Sequence, residues 1–251
     1  MSRAWFGIAT AGALAVALAF LTIPIVAIFV DSPPSDLLAA LGEEGALDAL
    51  WLSLKTTAAA LAIIVVIGTP AAYLLATRRF RGRALVITLV ELPLVLPPAV
   101  AGIALLAAIG PSLTFTTGAV VVALTFVASP FYLRQAQAAF ASVDRSWLEA
   151  SRTLGASQAR TFARVAIPTA APGLVAGGAL ATGRALGEFG ATLMFAGSLQ
   201  GVTQTAPLAI YQRFSTDFEA ALALSAVLVA VSGAILLTAK LFGGWDAADH
   251  R

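Results

Sequence analysis

The chain contains no cysteine, which excludes disulfides, thiol catalysis and thiolate metal sites. Its one histidine, His250, sits beside the C-terminus, as a solvated tail residue would. Histidine-based zinc sites and Ser-His-Asp chemistry therefore have nothing to be built from. Charge is scarce too. Only 11% of the 251 residues are Asp, Glu, Lys or Arg, where an ordinary soluble domain has about 25%. The net charge of +2 is too small to point to nucleic acid. A G-x-x-x-x-G-K-[ST] phosphate loop is also missing, so the chain does not bind ATP in that way. What is present in quantity is apolar surface: 59% of residues are hydrophobic and the mean hydropathy is +0.92. That composition describes an integral membrane protein.

A spanning helix needs about 20 mainly apolar residues. Six segments qualify, at about 5–30, 50–77, 84–109, 118–141, 169–196 and 218–242. The first resembles a signal peptide, but its apolar run continues to Val30, beyond the usual core of roughly 7–15 residues, so it is expected to span. Basic residues set the orientation. The second connection carries Arg78, Arg79, Arg81 and Arg83, and the fourth carries Arg145, Arg152, Arg160 and Arg164. The first and third have no Lys or Arg, and the fifth has only Arg213. The positive-inside rule places the second and fourth connections in the cytoplasm. With Arg3 and Lys240 at the outer ends of the terminal spans, both termini are expected inside. The acidic first connection, with Asp31, Asp36, Glu43, Glu44 and Asp48, is then external.

No composition shift, low-complexity tract or repeat divides the sequence, so residues 1–251 are expected to form one all-α transmembrane domain. The halves do not mirror each other, which argues against an inverted-repeat transporter. Six helices enclose little volume, and a solute route is expected between two copies of the chain.

One polar stretch stands out: "WLEASRTLGASQARTFARVAIP", Trp147 to Pro168, within the cytoplasmic loop 142–168. Ser146 and Glu149 have the S-x-x-E spacing of a capping box, which predicts a short helix starting there. Val143, Trp147, Leu148, Leu154 and Ala150 fall near one stripe, and Gly155 supplies a left-handed end. Gln158 to Val165 is expected to form a second short helix before Pro168 restarts the membrane span. Two readings are open: a helix lying on the inner membrane surface, or a hook presented to a soluble partner.

The same residues resemble the signature loop of permease subunits of binding-protein-dependent ATP-binding-cassette importers, which reads E-A-A, three residues, G, nine residues, I-x-L-P. Glu149, Ala150 and Gly155 match, followed by Val165, Ile167 and Pro168. Ser151 replaces the second alanine. Further stretches, "ELPLVLPPAVAGIALL", "GRALGEFGATLMFAG" and "TQTAPLAIY", resemble molybdate permeases most, with sulfate and tungstate permeases nearby. The resemblance implies a type I importer permease fold in the cell membrane. Glu149, Ala150, Ser151, Leu154, Gly155 and Pro168 would then belong to a coupling helix gripped by an ATPase. Its implied partners are a second permease copy, two cytoplasmic ATPases holding ATP and magnesium, and an external oxyanion-binding protein. No cofactor and no covalent chemistry are expected in this chain.

Several residues inside the spans remain to be placed. Arg184 and Glu188 share one helix face by spacing, and a central membrane charge costs about 2.5–3.5 kcal/mol on insertion scales. They are either a mutually satisfied pair or part of a pathway gate. Gly183-x-x-x-Gly187, with Gly173, Gly177, Gly178 and Gly190, predicts close helix approach. Pro93, Pro97 and Pro98 are expected to break or kink the third span, at a place that packs or lines the route. Glu91 has no evident partner, and Arg134 is expected to snorkel to the inner interface. Thr203, Gln204 and Thr205 are expected outside, as a capped surface turn or as an outer gate or binding-protein contact. Rivals to the importer reading are an ion-coupled carrier or channel, or a membrane scaffold.

Overall fold

The computed structural model describes residues 3–42 and 45–242. Glu43, Glu44 and His250 lie outside the described residues. Helices make up the regular structure among those described, in the order α1 (Arg3–Val30), α2 (Pro34–Gly42), α3 (Ala46–Thr77), α4 (Arg83–Val95), α5 (Pro98–Ile109) and α6 (Thr117–Ala141). There follow α7 (Arg145–Thr153), α8 (Gln158–Thr161), α9 (Ile167–Leu186), α10 (Gly190–Ala196), α11 (Ala206–Phe214) and α12 (Phe218–Phe242). Five helical runs are long and apolar enough to cross a membrane, and α4 with α5 form a sixth if the bent pair is taken together.

The centre is α3, α6 and α9. Alanines dominate their contacts, including Ala60, Ala72, Ala123, Ala128, Ala136 and Ala170, because small side chains let membrane helices approach closely. Gly173 and Gly177 extend this contact against Ala139, Gln135 and Tyr132 of α6. A smaller cluster of Ala46, Leu50, Ala206, Ala209 and Leu224 joins α3, α11 and α12. The large apolar side chains point outward instead. Phe20, Val66 and Ile67 are exposed, as expected where the solvent is lipid.

The third span breaks, as its prolines led one to expect, and the fifth has other bounds than expected. The third is split by a 118° bend between α4 and α5. Pro93 sits inside α4 without ending it; the break falls at Leu96 and Pro97, both extended. Each of these precedes a proline, and the proline ring disfavours helical geometry in the residue before it. The bent pair still connects opposite ends of the bundle. Arg83 bonds the Leu75 carbonyl at 2.9 Å near the end of α3, whereas Thr117 bonds the Val202 carbonyl at 3.0 Å in the fifth connection.

The fifth span, expected at 169–196, runs from Gln158 to Leu186. Pro168 does not restart it after a gap. A single π-helical turn, Phe162–Ala166, carries α8 into α9. The wider turn shifts the backbone bonding register where proline lacks an N–H and would crowd the preceding carbonyls. At the other end, the helix stops at Gly187, and residues 190–196 form the separate α10.

Candidate functional site

Two polar constructions interrupt the apolar body. The first is α7, at the end where the second and fourth connections meet and Arg78 bonds Gln158 at 3.4 Å. Its N-cap is Asp144, not Ser146: the carboxylate accepts the Ser146 backbone N–H at 2.9 Å. The helix thus begins two residues earlier than the capping-box spacing suggested, since Asp144 already offers the backbone an oxygen acceptor. Hydrogen bonds from Ser146, the backbone first and the hydroxyl second, hold the exposed Asp144 carboxyl below the usual carboxylate range.

The other end closes on Gly155, whose φ of +83° is left-handed. Gly155 N–H bonds the Arg152 carbonyl at 2.9 Å and Ala156 N–H bonds the Ser151 carbonyl at 3.1 Å. This pair of bonds is the Schellman arrangement, which favours glycine because a side chain there meets its own backbone. A Cβ on Gly155 would touch nothing else.

The expected single stripe of α7 is divided. Val143 and Leu148 are buried in the main core, whereas Trp147 is exposed and Leu154 is 88% exposed. Glu149, Ala150 and Arg152 also face outward. Leu148 therefore seats the helix on the bundle while the Glu149–Gly155 edge stays open. Ser151, the departure from the signature, bonds the buried Thr161 hydroxyl at 3.1 Å and ties α7 to α8. Below it, the rings of Tyr73, Phe140 and Phe162 pack at centroid distances of 4.8–6.1 Å, joining α3, α6 and the π-turn.

The second construction surrounds Glu188. Arg184 and Glu188 form an ion pair, but not along one continuous helix: α9 ends between them. Glu188 is 1% exposed, and its other oxygen accepts the Ala191 N–H at 2.7 Å. It thereby satisfies a backbone donor freed at the start of α10, which apolar surroundings require. The proline break is brought to the same place. A Cβ on Gly190 would lie 2.7 Å from the Pro98 Cβ, and one on Gly102 would lie 2.7 Å from the Ala191 carbonyl. Both breaks are therefore packed against each other, with Pro97, Pro98, Arg184, Gly187 and Glu188 within a few residues of the contact. Gly183 and Gly187 do not contribute close packing within the chain; a Cβ on Gly183 would meet nothing within 4 Å.

Thr203, Gln204 and Thr205 are buried, not displayed on a surface turn. Thr203 Oγ1 accepts the Leu199 N–H at 2.8 Å, and the following α11 is anchored by Ser53 Oγ accepting the Ala206 N–H at 2.8 Å. Gln204 bonds Gln212. Short helix α11 folds back over these residues, which a reading of six simple spans does not anticipate. Arg134 does not simply snorkel: it pairs with Glu91 between α6 and α4. Ser53, Gln212 and the Thr69–Tyr132 hydroxyl pair, 2.6 Å apart, were missed by sequence reasoning. Their only signal is the presence of hydrogen-bonding side chains within apolar segments.

Residues 65–242 match the binding-protein-dependent transport system inner membrane component family. The chain is 42% identical over 231 residues to the molybdenum transport system permease protein ModB of Mycobacterium tuberculosis, covering 87% of this chain and 88% of that one. It is 39% identical over 237 residues to a probable molybdenum ABC transporter permease protein of Haloferax volcanii, covering 90% and 87%. In fold it is similar to a chain from the crystal structure of a bacterial ABC transporter involved in import of the acidic polysaccharide alginate. That match has a TM-score of 0.69 at 17% identity, covering 98% of this chain and 99% of that one.

Proposed function

The chain belongs to the family of binding-protein-dependent transport system inner membrane components, and on that premise we propose that it is the permease half of an ATP-driven importer of molybdate. It is a multi-pass inner membrane protein and a translocation subunit, working with an ATPase and a binding protein. The molybdate reading is supported by the named roles of the two relatives at 42% and 39% identity.

The observation that carries the mechanism is α7, a capped helix seated on the core by Leu148 with its Glu149–Gly155 edge open. In the proposed mechanism each of two cytoplasmic ATPases grips one such edge, with both chain termini on that side. Residues 1–251 act as one transmembrane unit. ATP-driven closure of the ATPases moves α7, and Ser151, Thr161 and the Tyr73–Phe140–Phe162 contact carry the movement into α3, α6 and α9. The paired breaks at Pro97–Pro98 and Gly187–Glu188 flex at the gate. Arg184 retains a quarter of its side-chain exposure and attracts the anion, whereas Glu188 is a structural and gating residue.

The open Gly183 and Gly187 surface, beside Gly233 of α12, favours a second copy as the partner across the route, since small residues allow close helix approach. Thr203, Gln204 and Thr205 belong to the outer gate in this reading, because burial removes them from direct contact with a binding protein.

The test is uptake by the reconstituted permease, ATPase and binding protein. Competition among molybdate, tungstate and sulfate identifies the cargo. ATP-dependent molybdate accumulation supports the proposal; preference for sulfate moves the chain to the related cargo, and accumulation driven by an ion gradient without ATP contradicts the importer mechanism.

A further inference from the structure

A groove beside α7 shares Arg152, Tyr73 and Phe162 with the coupling path above, but its interior has no role there. At the arginine-rich end, a cavity of about 440 Å³ is lined by Tyr73, Leu74, Thr77, Arg78, Arg152 and Gln158, with Pro70 at its inner limit. A second cavity, of about 530 Å³, begins at the same Pro70 and continues along Val66, Phe162, Leu174, Val175 and Gly178. The Tyr73 and Phe162 rings, one in each cavity, meet at 4.8 Å and form a common wall. The groove is therefore polar and cationic at one end and mainly apolar along the rest, where the mutually bonded Thr69 and Tyr132 hydroxyls are the polar groups.

Neither Arg78 nor Arg152 forms an ion pair with a described carboxylate. Two guanidinium groups facing one cavity repel each other and favour an anion between them, and a phosphate matches their planar donor geometry. A free inorganic anion would use that end alone. An anionic phospholipid would use both, with its phosphate between the arginines and an acyl chain along Val66, Leu174 and Val175. Basic residues at the cytoplasmic surface also draw anionic lipid.

We propose that this groove binds an anionic phospholipid of the inner leaflet. Its phosphate bridges Arg78 at the end of α3 to Arg152 on α7. The binding itself stands apart from the importer reading. Its consequence, that the bound lipid steadies α7 and makes ATP-coupled transport depend on anionic lipid, rests on the ATPase-docking role proposed above.

The test uses the assembled transporter in nanodiscs of phosphatidylcholine containing graded phosphatidylglycerol of the same acyl composition. Lipid retained after detergent exchange is measured by mass spectrometry. Wild type is expected to retain phosphatidylglycerol selectively, and Arg78→Gln and Arg152→Gln each to lower that retention about fivefold. Gly178→Leu fills the apolar half from a position where a Cβ meets open space, and leucine favours the helix. It is expected to release the lipid with both arginines intact, which separates lipid loss from misfolding. Equal retention of the two lipids, or unchanged retention in the double arginine variant, overturns the proposal. Displacement by inorganic phosphate with no effect of Gly178→Leu overturns it in favour of a free-anion site. Retention intact but ATPase activity indifferent to phosphatidylglycerol keeps the lipid site and removes its coupling role.

Discussion

Helix α7 and the Glu188 break are both polar interruptions of an apolar chain, but they are held by contacts of different range. Around α7, Asp144 caps Ser146, Ala156 closes on Ser151, and Ser151 meets Thr161, all within eighteen residues of sequence. Around Glu188, the neighbours include Pro98, some ninety residues earlier, packed against Gly190. The α7 edge faces outward, whereas Glu188 is enclosed. An open, locally determined motif tolerates change in its surroundings and depends on backbone geometry. A buried pair beside a break that packs on a distant segment depends on every participant.

That contrast sets the order of expected effects. Glu188→Ala leaves Arg184 without its partner and Ala191 N–H without its acceptor. Breaking a buried pair costs about 3–5 kcal/mol, moderated here by the partial exposure of Arg184. Uptake is expected to be lost while the ATPase remains bound, as measured by transport and co-purification on the same preparation. Normal uptake would remove Glu188 from the gate. Gly155→Val comes next. A left-handed backbone costs a residue with a side chain about 1–2 kcal/mol, and a β-branched one is least suited to it. Uncoupled ATPase with normal membrane insertion is expected, and Gly155→Asn should recover much of the loss because asparagine accepts this conformation.

The two regions were legible in the sequence to different degrees. Gly155 and the helix before it could be read because capping and turn chemistry act over a few residues. Even there, Asp144 displaced Ser146 as the cap, and burial of Leu148 divided a stripe that spacing alone had grouped with Leu154. Pro97 and Pro98 announced a break, but not its 118° size or its contact with Gly190. The pairing of Arg134 with Glu91 and the burial of Thr203 beneath α11 arise from tertiary placement, which hydropathy does not encode. The general division into spans was readable because each long apolar segment has to satisfy its backbone within one helix.

Smaller effects sharpen the comparison. Glu91→Gln separates an ion pair whose side chains are 30% and 58% exposed, and exposed pairs contribute about 0.2–1 kcal/mol. A slight decrease in thermal stability is expected, well below that of Glu188→Ala; an equal decrease would show that both pairs are enclosed in the assembled protein. Smallest is the effect of acid on the α7 cap. The Asp144 carboxyl is lowered by its bonds from Ser146. Its contribution is therefore complete above the unfolded carboxylate value of about 3.9, and is lost as pH falls through the lower folded value. Asp144→Asn keeps a capping oxygen and is expected to leave ATPase binding at neutral pH unchanged, as read by a binding isotherm.

The absence of cysteine makes the central claim directly measurable. Leu154→Cys places a single thiol on the open edge of α7, and a maleimide reagent can report its environment in native membranes with and without the ATPase. The account predicts rapid labelling of the chain alone, protection in the assembled transporter, and crosslinking of position 154 to the ATPase by a bifunctional reagent. Equal labelling in both states, with no crosslink while transport is intact, would contradict the assignment of α7 as the ATPase-docking element.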